Sequence, residues 1–306
     1  MWGEDVNKKN LLGWIYVGLA VLMSGFWAYW GAFENFHEGW YSESFFANVS
    51  MFIFQYMLIS IMITLMTLTI MKWKKFGCVL CIIVGIAASA FLTGSLINVL
   101  GLIIAIFFTT ISILGYLGDP QPMKQAKRVV VLVPLSIAIM ISIPQYIKIS
   151  QRIDTSSEEI AIVKGNSVTL AWAPKGPGWP EKGVSWNEAR WICSHLSEDG
   201  SKIMDEEQNI WRLPTVDEAV RSMKLHNENV NGIWDEVNKK AVYTQKPDKE
   251  YPLWDKHSKV IYYWIDELSG QESDKGMIIV YNGSVYQRSK TIVMDSLSFR
   301  AVKDLE

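Results

Sequence analysis

Five long apolar stretches fill most of the first half of the chain and restrict it to a helical membrane domain. A hydrocarbon core about 30 Å thick needs about 20 mainly apolar residues for one helical crossing. The stretches that qualify are residues 11–33, 49–71, 76–92, 96–117 and 129–147. Only "TGS" at residues 93–95 separates the third from the fourth, so we expect a tight helical hairpin there. The sequence therefore predicts an all-α transmembrane bundle of five helices.

The charge distribution changes near residue 150 and separates two unlike halves. Residues 1–153 carry 6 acidic and 10 basic side chains, whereas residues 154–306 carry 25 acidic and 19 basic ones. An acidic second half argues against a nucleic-acid partner, because phosphate backbones are bound through Lys and Arg. We predict two domains: 1–153 in the membrane, with the lipid bilayer as its partner, and 154–306 as an extracytoplasmic domain.

The basic residues of the short loops orient this bundle, because Lys and Arg concentrate on the cytoplasmic side of membrane proteins. With the N-terminus inside, three basic groups fall in the cytoplasm: Lys8 and Lys9; Lys72, Lys74 and Lys75; Lys124, Lys127 and Arg128. The loop at residues 34–48 holds Glu34, Glu38 and Glu43 and no basic residue. Five crossings make this a multi-pass protein of the cell membrane whose second half lies outside the cytoplasm. Lys148 and Arg152, just past the last span, do not fit the pattern.

The interiors of the five predicted spans contain no ionisable side chain, which argues against a transporter or a proton relay. Cys78 and Cys81 form a C-x-x-C with apolar flanks. We interpret them as buried packing thiols, with a redox or metal pair as the alternative.

Sequence patterns in the second half predict two helix starts. In "VSWNEARWICSHL", Ser185 and Glu188 have capping-box spacing, and the following apolar residues form one buried face: Trp186, Ala189, Cys193 and Leu196. In "WRLPTVDEA", Thr215 and Glu218 form a second capping box behind Pro214, which blocks backward extension of the helix. We expect Trp211 and Leu213 to face the core, and Arg212 to point outward or pair with an acid.

Strand signals surround these helices. Residues 166–174 alternate like an opening strand, "VIYYWIDEL" from Val260 predicts another, and residues 296–303 predict a closing strand. In "MIIVYNGSVYQR", Asn282-Gly283 predicts a hairpin with a type I′ turn, since both central residues of that turn need positive φ.

The order of five segments resembles the sulfatase-modifying-factor superfamily, which includes the formylglycine-generating enzymes. The segments are "GVSWNEARWICSHLSEDG", "WRLPTVDEA", "YYWIDE" with Trp264, "VYNGSVY", and "SFRAVK" with Phe299 and Arg300. They are most similar to the Lcl C-terminal domain family and cover residues 160–306. The resemblance implies an α+β C-type-lectin-like domain after the membrane bundle.

The chemistry associated with that superfamily is not matched by the residues present. The resemblance implies a late cysteine pair that binds copper, but no cysteine follows Cys193, and one thiol cannot replace a pair. His195, His226 and His257 are scattered without metal-ligand spacing. We therefore expect no enzyme activity; a divergent metal-dependent enzyme of the superfamily remains the alternative.

Acidic clusters at residues 197–200 and 204–209 offer hard oxygen ligands for Ca²⁺. In the first outer loop, Glu34, His37 and Glu38 are candidate ligands for a divalent metal, with a solvated acidic loop as the favoured interpretation. The spacing in the second half does not match an EF-hand, so solvated loops are the favoured interpretation. No cofactor is predicted, and Ca²⁺ is the alternative.

The leading functional hypothesis is a non-catalytic lectin-like module displayed outside the cytoplasm to bind a ligand, glycan or partner protein. The aromatic residues in or beside predicted loops are its candidate contacts: Trp172, Trp179, Trp234, Tyr251 and Trp254. The alternative for each ring is a place in the core. A membrane sensor or assembly subunit is a further functional alternative, and the oligomeric state is left open.

Overall fold

The computed structural model describes residues 2–37, 42–93, 98–153, 159–266 and 274–305. Gly94 and Ser95 of the predicted hairpin turn, and Glu38 of the outer loop, lie outside these residues. The chain divides into two compact units, one formed by residues 1–37 and 44–146, the other by 38–43 and 147–306. The sequence-based boundary at 153/154 falls shortly after the start of the second unit's main segment.

The first unit is helical. Its elements are α1 (Trp2–His37), α2 (Phe45–Met51), a π-helical segment (Phe52–Tyr56), α3 (Leu58–Lys72), α4 (Lys74–Thr93), α5 (Val99–Leu117) and α6 (Met123–Ser150). Four of these helices are long and apolar enough to cross a membrane, and the pair Phe45–Tyr56 and Leu58–Lys72 makes a fifth span if it counts as one. That pair is bent by 60°, so the second predicted span is not one straight helix. The π-helical segment interrupts the regular α-helical hydrogen bonds next to this bend, and helices commonly bend at such interruptions.

Small residues let the helices of the first unit approach closely at one end. A Cβ added to Gly115 of α5 would lie 2.7 Å from Ile70 of α3 and 3.1 Å from Tyr16 of α1. Cys78 is buried as a free thiol, and its Sγ donates to the Ser112 carbonyl at 3.2 Å while the Ser112 hydroxyl donates to the Cys78 carbonyl at 3.0 Å. These reciprocal bonds join α4 to α5, so this thiol packs as a structural residue.

The second unit combines two short helices with small sheets. Its helices are α7 (Trp186–His195) and α8 (Val216–Ser222). Its strands are β1 (Ala161–Lys164), β2 (Thr169–Trp172), β3 (Lys224–Leu225), β4 (Glu228–Asn229), β5 (Ile233–Asp235), β6 (Lys240–Val242), β7 (Tyr262–Ile265), β8 (Lys275–Val280), β9 (Val285–Ser289), β10 (Leu297–Ser298) and β11 (Val302–Asp304). The sheet orders are β1-β2-β11, β10-β7-β8-β9, β3-β4 and β5-β6. The chain therefore consists of a helical region followed by a region of small β-sheets.

The predicted closing strand is two strands in different sheets, so that expectation was wrong. Leu297 pairs with Tyr262 in a parallel ladder with β7, whereas Val302 pairs with Trp172 in an antiparallel ladder with β2. Between them the chain passes from one sheet to the other through Phe299 and Arg300, which are fully buried. A short run can serve two sheets because each ladder needs only a few residues.

The hairpin predicted at Asn282-Gly283 is confirmed, but its turn is not type I′. Strand β8 pairs with β9 in antiparallel register, and only Gly283 of the central pair has positive φ, +80°. The Gly283 N–H donates to the Val280 carbonyl at 2.7 Å, and the Asn282 Oδ1 accepts from the Ser284 N–H at 3.1 Å. The asparagine side chain thus supports the turn without entering the left-handed region.

The "WRLPT" segment forms the helix start that its sequence indicates. Thr215 Oγ1 accepts from the Glu218 N–H at 3.3 Å, and Glu218 Oε2 accepts from the Thr215 N–H at 2.8 Å, which completes the capping box. Arg212 donates to both Glu218 oxygens at 2.7 and 2.8 Å and to Asp304 at 2.7 Å. Trp211 and Leu213 are buried, and the Pro214 carbonyl accepts from the Asp266 N–H. Arg212 therefore pairs with acids, one of the two expected arrangements.

At the start of α7, only one of the two hydrogen bonds of the expected capping box is present among the residues that the structure describes. Ser185 Oγ accepts from the Glu188 N–H at 3.2 Å, while the Glu188 side chain is exposed. Trp264 of β7 is buried and its indole N–H donates to the Val184 carbonyl at 2.8 Å, which fixes the segment that enters α7.

Candidate functional site

Three of the five aromatic residues expected to contact a ligand lie in the core, so that expectation was wrong for them. Trp172 sits in the central strand of the three-stranded sheet and is fully buried. Trp179 is buried and its indole N–H donates to the Tyr263 hydroxyl at 2.7 Å. Trp254 is fully buried and packs edge-on against Tyr263, with ring centroids 5.1 Å apart. Large rings of this kind fill the space between small sheets.

The other two, Trp234 and Tyr251, are partly buried and pack against the same core. The Trp234 indole N–H donates to the Glu236 carboxylate at 2.5 Å. The Tyr251 ring lies 5.3 Å from both the Lys224 ammonium and the Arg300 guanidinium. The indole N–H of Trp234 and the ring face of Tyr251 are therefore engaged within the domain.

Arg300 is the electrostatic centre of this core. Its guanidinium carbon lies 3.7 Å from the Trp179 ring centroid and 6.0 Å from that of Trp172. Its Nε donates to the Ala173 carbonyl at 2.8 Å and its Nη1 to the Pro252 carbonyl. Within the described ranges no carboxylate forms an ion pair with it. Burial lowers the pKa of Arg300 to about 10, so the side chain remains a cation at neutral pH.

An open groove lies on a different face of the second unit, beside α7. Its volume is about 540 Å³, within the range of small-ligand sites. We call it the Trp191 groove, and it is lined by Gly176, Pro177, Pro180, Glu181, Lys182, Glu188, Trp191, Ile192 and Ile203. The loop before α7, the outer face of α7 and the segment after it therefore meet at one concave surface.

Trp191 is the main aromatic surface of this groove. It is 52% exposed, although it stands on a regular helix. Its ring stacks on His195, with centroids 4.4 Å apart and planes inclined by 28°. The His195 ring is buried and its Nδ1 lies 2.9 Å from the Trp191 carbonyl and 2.9 Å from the Ser194 hydroxyl. The indole is thus held in place from below while its other face is open.

Sequence reasoning missed Trp191, although a signal was present. The buried face of α7 includes Ala189 and Cys193, as predicted. Trp191 lies between these positions and must point to the opposite side of the helix. A large aromatic residue on the polar face of an amphipathic helix indicates an exposed contact residue.

The rim of the groove is charged on both sides. Glu181, Lys182 and Glu188 are exposed there, and Glu181 lies 3.4 Å from the Lys175 ammonium. Lys175 also pairs with the buried Asp255 at 2.8 Å. Burial by itself lowers the pKa of Lys175, but the hydrogen bond and charge of Asp255, followed by those of Glu181, outweigh it and raise the pKa. This ion-pair network fixes the loop that carries Glu181.

The described residues contain no group of three or more His, Cys, Asp or Glu side chains arranged to hold a metal ion. In the acidic loop at residues 197–200, Asp199 accepts hydrogen bonds from Ser197 at 2.5 Å and from Ser201 at 2.9 Å. These bonds lower the pKa of Asp199 to about 2. The Asp199 carboxylate therefore stabilises the conformation of its own loop through these hydrogen bonds.

Together, the exposed indole, the rigid proline-containing wall and the carboxylates form a surface suited to a ligand that presents both C–H faces and hydroxyl groups. In comparisons with known proteins, no family model matches the chain, and neither a curated protein nor a solved structure matches it.

Proposed function

We propose that the chain is a multi-pass membrane protein that displays its second unit outside the cytoplasm as a non-catalytic binding module. The Trp191 groove is its ligand site, and a glycan is the ligand. The observation that carries this proposal is an indole that is 52% exposed, ordered by a buried histidine, and placed in a groove of about 540 Å³.

The groove chemistry favours a carbohydrate. A pyranose presents an apolar C–H face, which packs on an aromatic ring, and an edge of hydroxyl groups that needs hydrogen-bond acceptors. Trp191 offers the flat surface, and Glu181 and Glu188 offer the acceptors on the same groove. Pro177 and Pro180 limit the freedom of the facing wall, so little ordering is required on binding.

We also propose that residues 160–306 are a C-type-lectin-like domain related to the sulfatase-modifying-factor superfamily. The support is the ordered set of segments around "WRLPT" and "SFRAVK", whose Trp211 and Phe299 are buried in the unit. A display role agrees with this relationship, since the late cysteine pair required for the copper chemistry of that superfamily is absent from the sequence.

The test uses the full-length protein in detergent micelles, screened on a glycan array and then titrated with the best oligosaccharide. We expect Trp191→Ala to weaken binding by at least about tenfold, because a stacked ring at the centre of a binding site contributes about 1.4 kcal/mol or more. Tyr286→Ala is the matched control, since Tyr286 is 51% exposed on β9 and does not line the groove. Unchanged affinity in Trp191→Ala, or equal loss in both variants, would remove the assignment of this groove.

A further inference from the structure

The first unit contains a cavity of about 560 Å³ among α1, α3, α4 and α5. Its walls are formed by aliphatic, thioether and aromatic side chains, including Trp27, Met62, Met66, Ala88 and Phe107. Protein interiors are otherwise close-packed, with few voids larger than a water molecule. A space of this size between four helices is therefore an exception to that packing, and its volume lies in the range of small-ligand sites.

Close helix contact occurs at several levels of these helices, since a Cβ added to Gly85 of α4 would also lie 2.4 Å from the Phe108 side chain of α5. At Gly77 an added Cβ would lie 2.6 Å from the Ile70 backbone, and Gly115 lies against Tyr16 and Ile70. Further along the same helices, large side chains such as Met62 and Phe107 replace glycine at the cavity. The helices are thus in close contact at their glycines, and bulky residues line the space between them at the cavity.

The cavity wall selects an apolar occupant. Water needs two to four polar partners to remain in a cavity, and apolar cavities stay dry or bind apolar molecules. Several lining residues are also exposed on the outer surface: Ile59 (40%), Met62 (45%), Ile103 (57%) and Phe91 (87%). The cavity therefore opens onto an apolar helix surface, the kind of surface that faces lipid in a bilayer.

We infer that this cavity binds one acyl chain of a resident membrane phospholipid. This inference rests on the proposed membrane location but not on the Trp191 groove. A chain that leaves the bilayer for the cavity gains nothing from the hydrophobic effect, so its retention depends on van der Waals fit. Met23, Met62 and Met66 supply flexible, polarizable side chains that adapt to such a chain.

The test labels the site directly in the full-length protein. The protein is delipidated in detergent micelles and titrated with phosphatidylcholine that carries a diazirine in the middle of a palmitoyl chain. After irradiation, crosslinked peptides are identified by mass spectrometry. We expect labelling of Met62, Met66 and Trp27 that saturates at one chain per protein and is competed by unlabelled lipid, whereas labelling of the exposed Leu135 on α6 rises in proportion to the probe.

A matched pair of variants in one helix separates the cavity from the general lipid surface. Ala88 lines the cavity, whereas Ala87 is exposed beside it and does not. Ala88→Phe should reduce the saturable labelling at least fivefold, and Ala87→Phe should leave it unchanged. The wild-type saturation curve tests the site even if Ala88→Phe fails to fold.

Three outcomes would overturn the inference. Labelling at Met62 and Met66 that never saturates, or that survives in Ala88→Phe, would show ordinary surface lipid. A covalent dimer joined through cavity residues would show that a second copy fills the space. Release of the protein from cell membranes by alkaline carbonate would disprove the membrane location itself, a failure distinct from loss of the site in a protein that stays with the membranes.

Discussion

At the scale of single residues, Arg300 shows how one buried side chain can join separate segments of a core. It stands where the chain leaves β10 for β11, and it donates to carbonyls of Ala173 and Pro252, which lie on other segments. Its stack on Trp179 adds a cation–π contact in a site without solvent. Among the described residues no carboxylate pairs with this cation and its Nη2 has no hydrogen-bond partner, so the hydrogen bonds of Nε and Nη1 and the ring contacts are what offset the cost of burying it.

Replacing Arg300 should therefore unfold the second unit more easily. Arg300→Ala leaves two buried carbonyls without donors and creates a cavity, and we expect it to lower the free energy of unfolding by about 3 kcal/mol or more. Arg288→Ala, on the exposed strand β9, should change it by less than about 0.5 kcal/mol. Urea unfolding followed by tryptophan fluorescence measures both variants, and equal stability of the two would contradict this role of Arg300.

Glu218 makes stability depend on pH in a predictable direction. Burial by itself raises the pKa of Glu218, but the hydrogen bonds and charge of Arg212, together with the Thr215 N–H, outweigh it and lower the pKa below the ordinary value of 4.5. The stabilisation is therefore complete above pH 4.5 and is lost as the pH falls through the lowered pKa.

Glu218→Gln should lower the free energy of unfolding at pH 7 by about 1–3 kcal/mol, since it weakens a charge-assisted pair and a cap. Below pH 4.5 its stability should also fall less steeply with acid than that of the wild type. Glu228→Gln, at an exposed position, serves as the control. The same acid dependence in wild type and Glu218→Gln would show that another carboxylate is responsible. The measurement is urea unfolding at a series of pH values.

At the scale of elements, local motifs were predictable and long-range pairings were not. The Thr215–Glu218 capping box involves residues three apart, so the sequence alone specifies it. The split of the closing strand depends on β7 and β2, which lie far away in the chain. The Trp191 groove likewise requires Pro177, Glu188 and Ile203 to meet, and no local pattern specifies that meeting.

Substitutions in the turn between β8 and β9 test how much its local sequence motif contributes to stability. Gly283 has φ of +80°, and a Cβ there would lie 2.6 Å from Tyr243 and 2.5 Å from Pro247. Gly283→Ala should destabilise the second unit by about 1–2 kcal/mol, because the left-handed region is unfavourable for residues with a Cβ. Asn282→Ala should cost less, since Asn282 contributes one hydrogen bond to Ser284. Urea unfolding compares the two, and a larger effect of Asn282→Ala would contradict the cost assigned to a Cβ at Gly283.

At the scale of the whole molecule, the two basic residues that conflict with the charge pattern of the loops have partners within the second unit. Arg152 donates to both oxygens of Asp248 at 2.9 and 3.2 Å, and Lys148 lies 3.5 Å from the same carboxylate. Burial by itself raises the pKa of Asp248, but the charges of Arg152 and then Lys148 outweigh it and lower the pKa. These cations therefore have a structural role within the second unit, although their pairing with Asp248 does not change the count of basic residues beside the last span.

The proposed orientation can be tested with two single cysteines in the full-length protein. Val293 is 60% exposed in the second unit, and Lys124 is exposed near the start of α6. In intact cells a membrane-impermeant maleimide should label Val293→Cys at once and Lys124→Cys only after permeabilisation. The native Cys78, Cys81 and Cys193 are buried, which keeps the background low. The reverse order of labelling would invert the orientation. Labelling of both positions in intact cells would require an even number of crossings between residue 124 and the second unit, and would therefore remove α6 as a span.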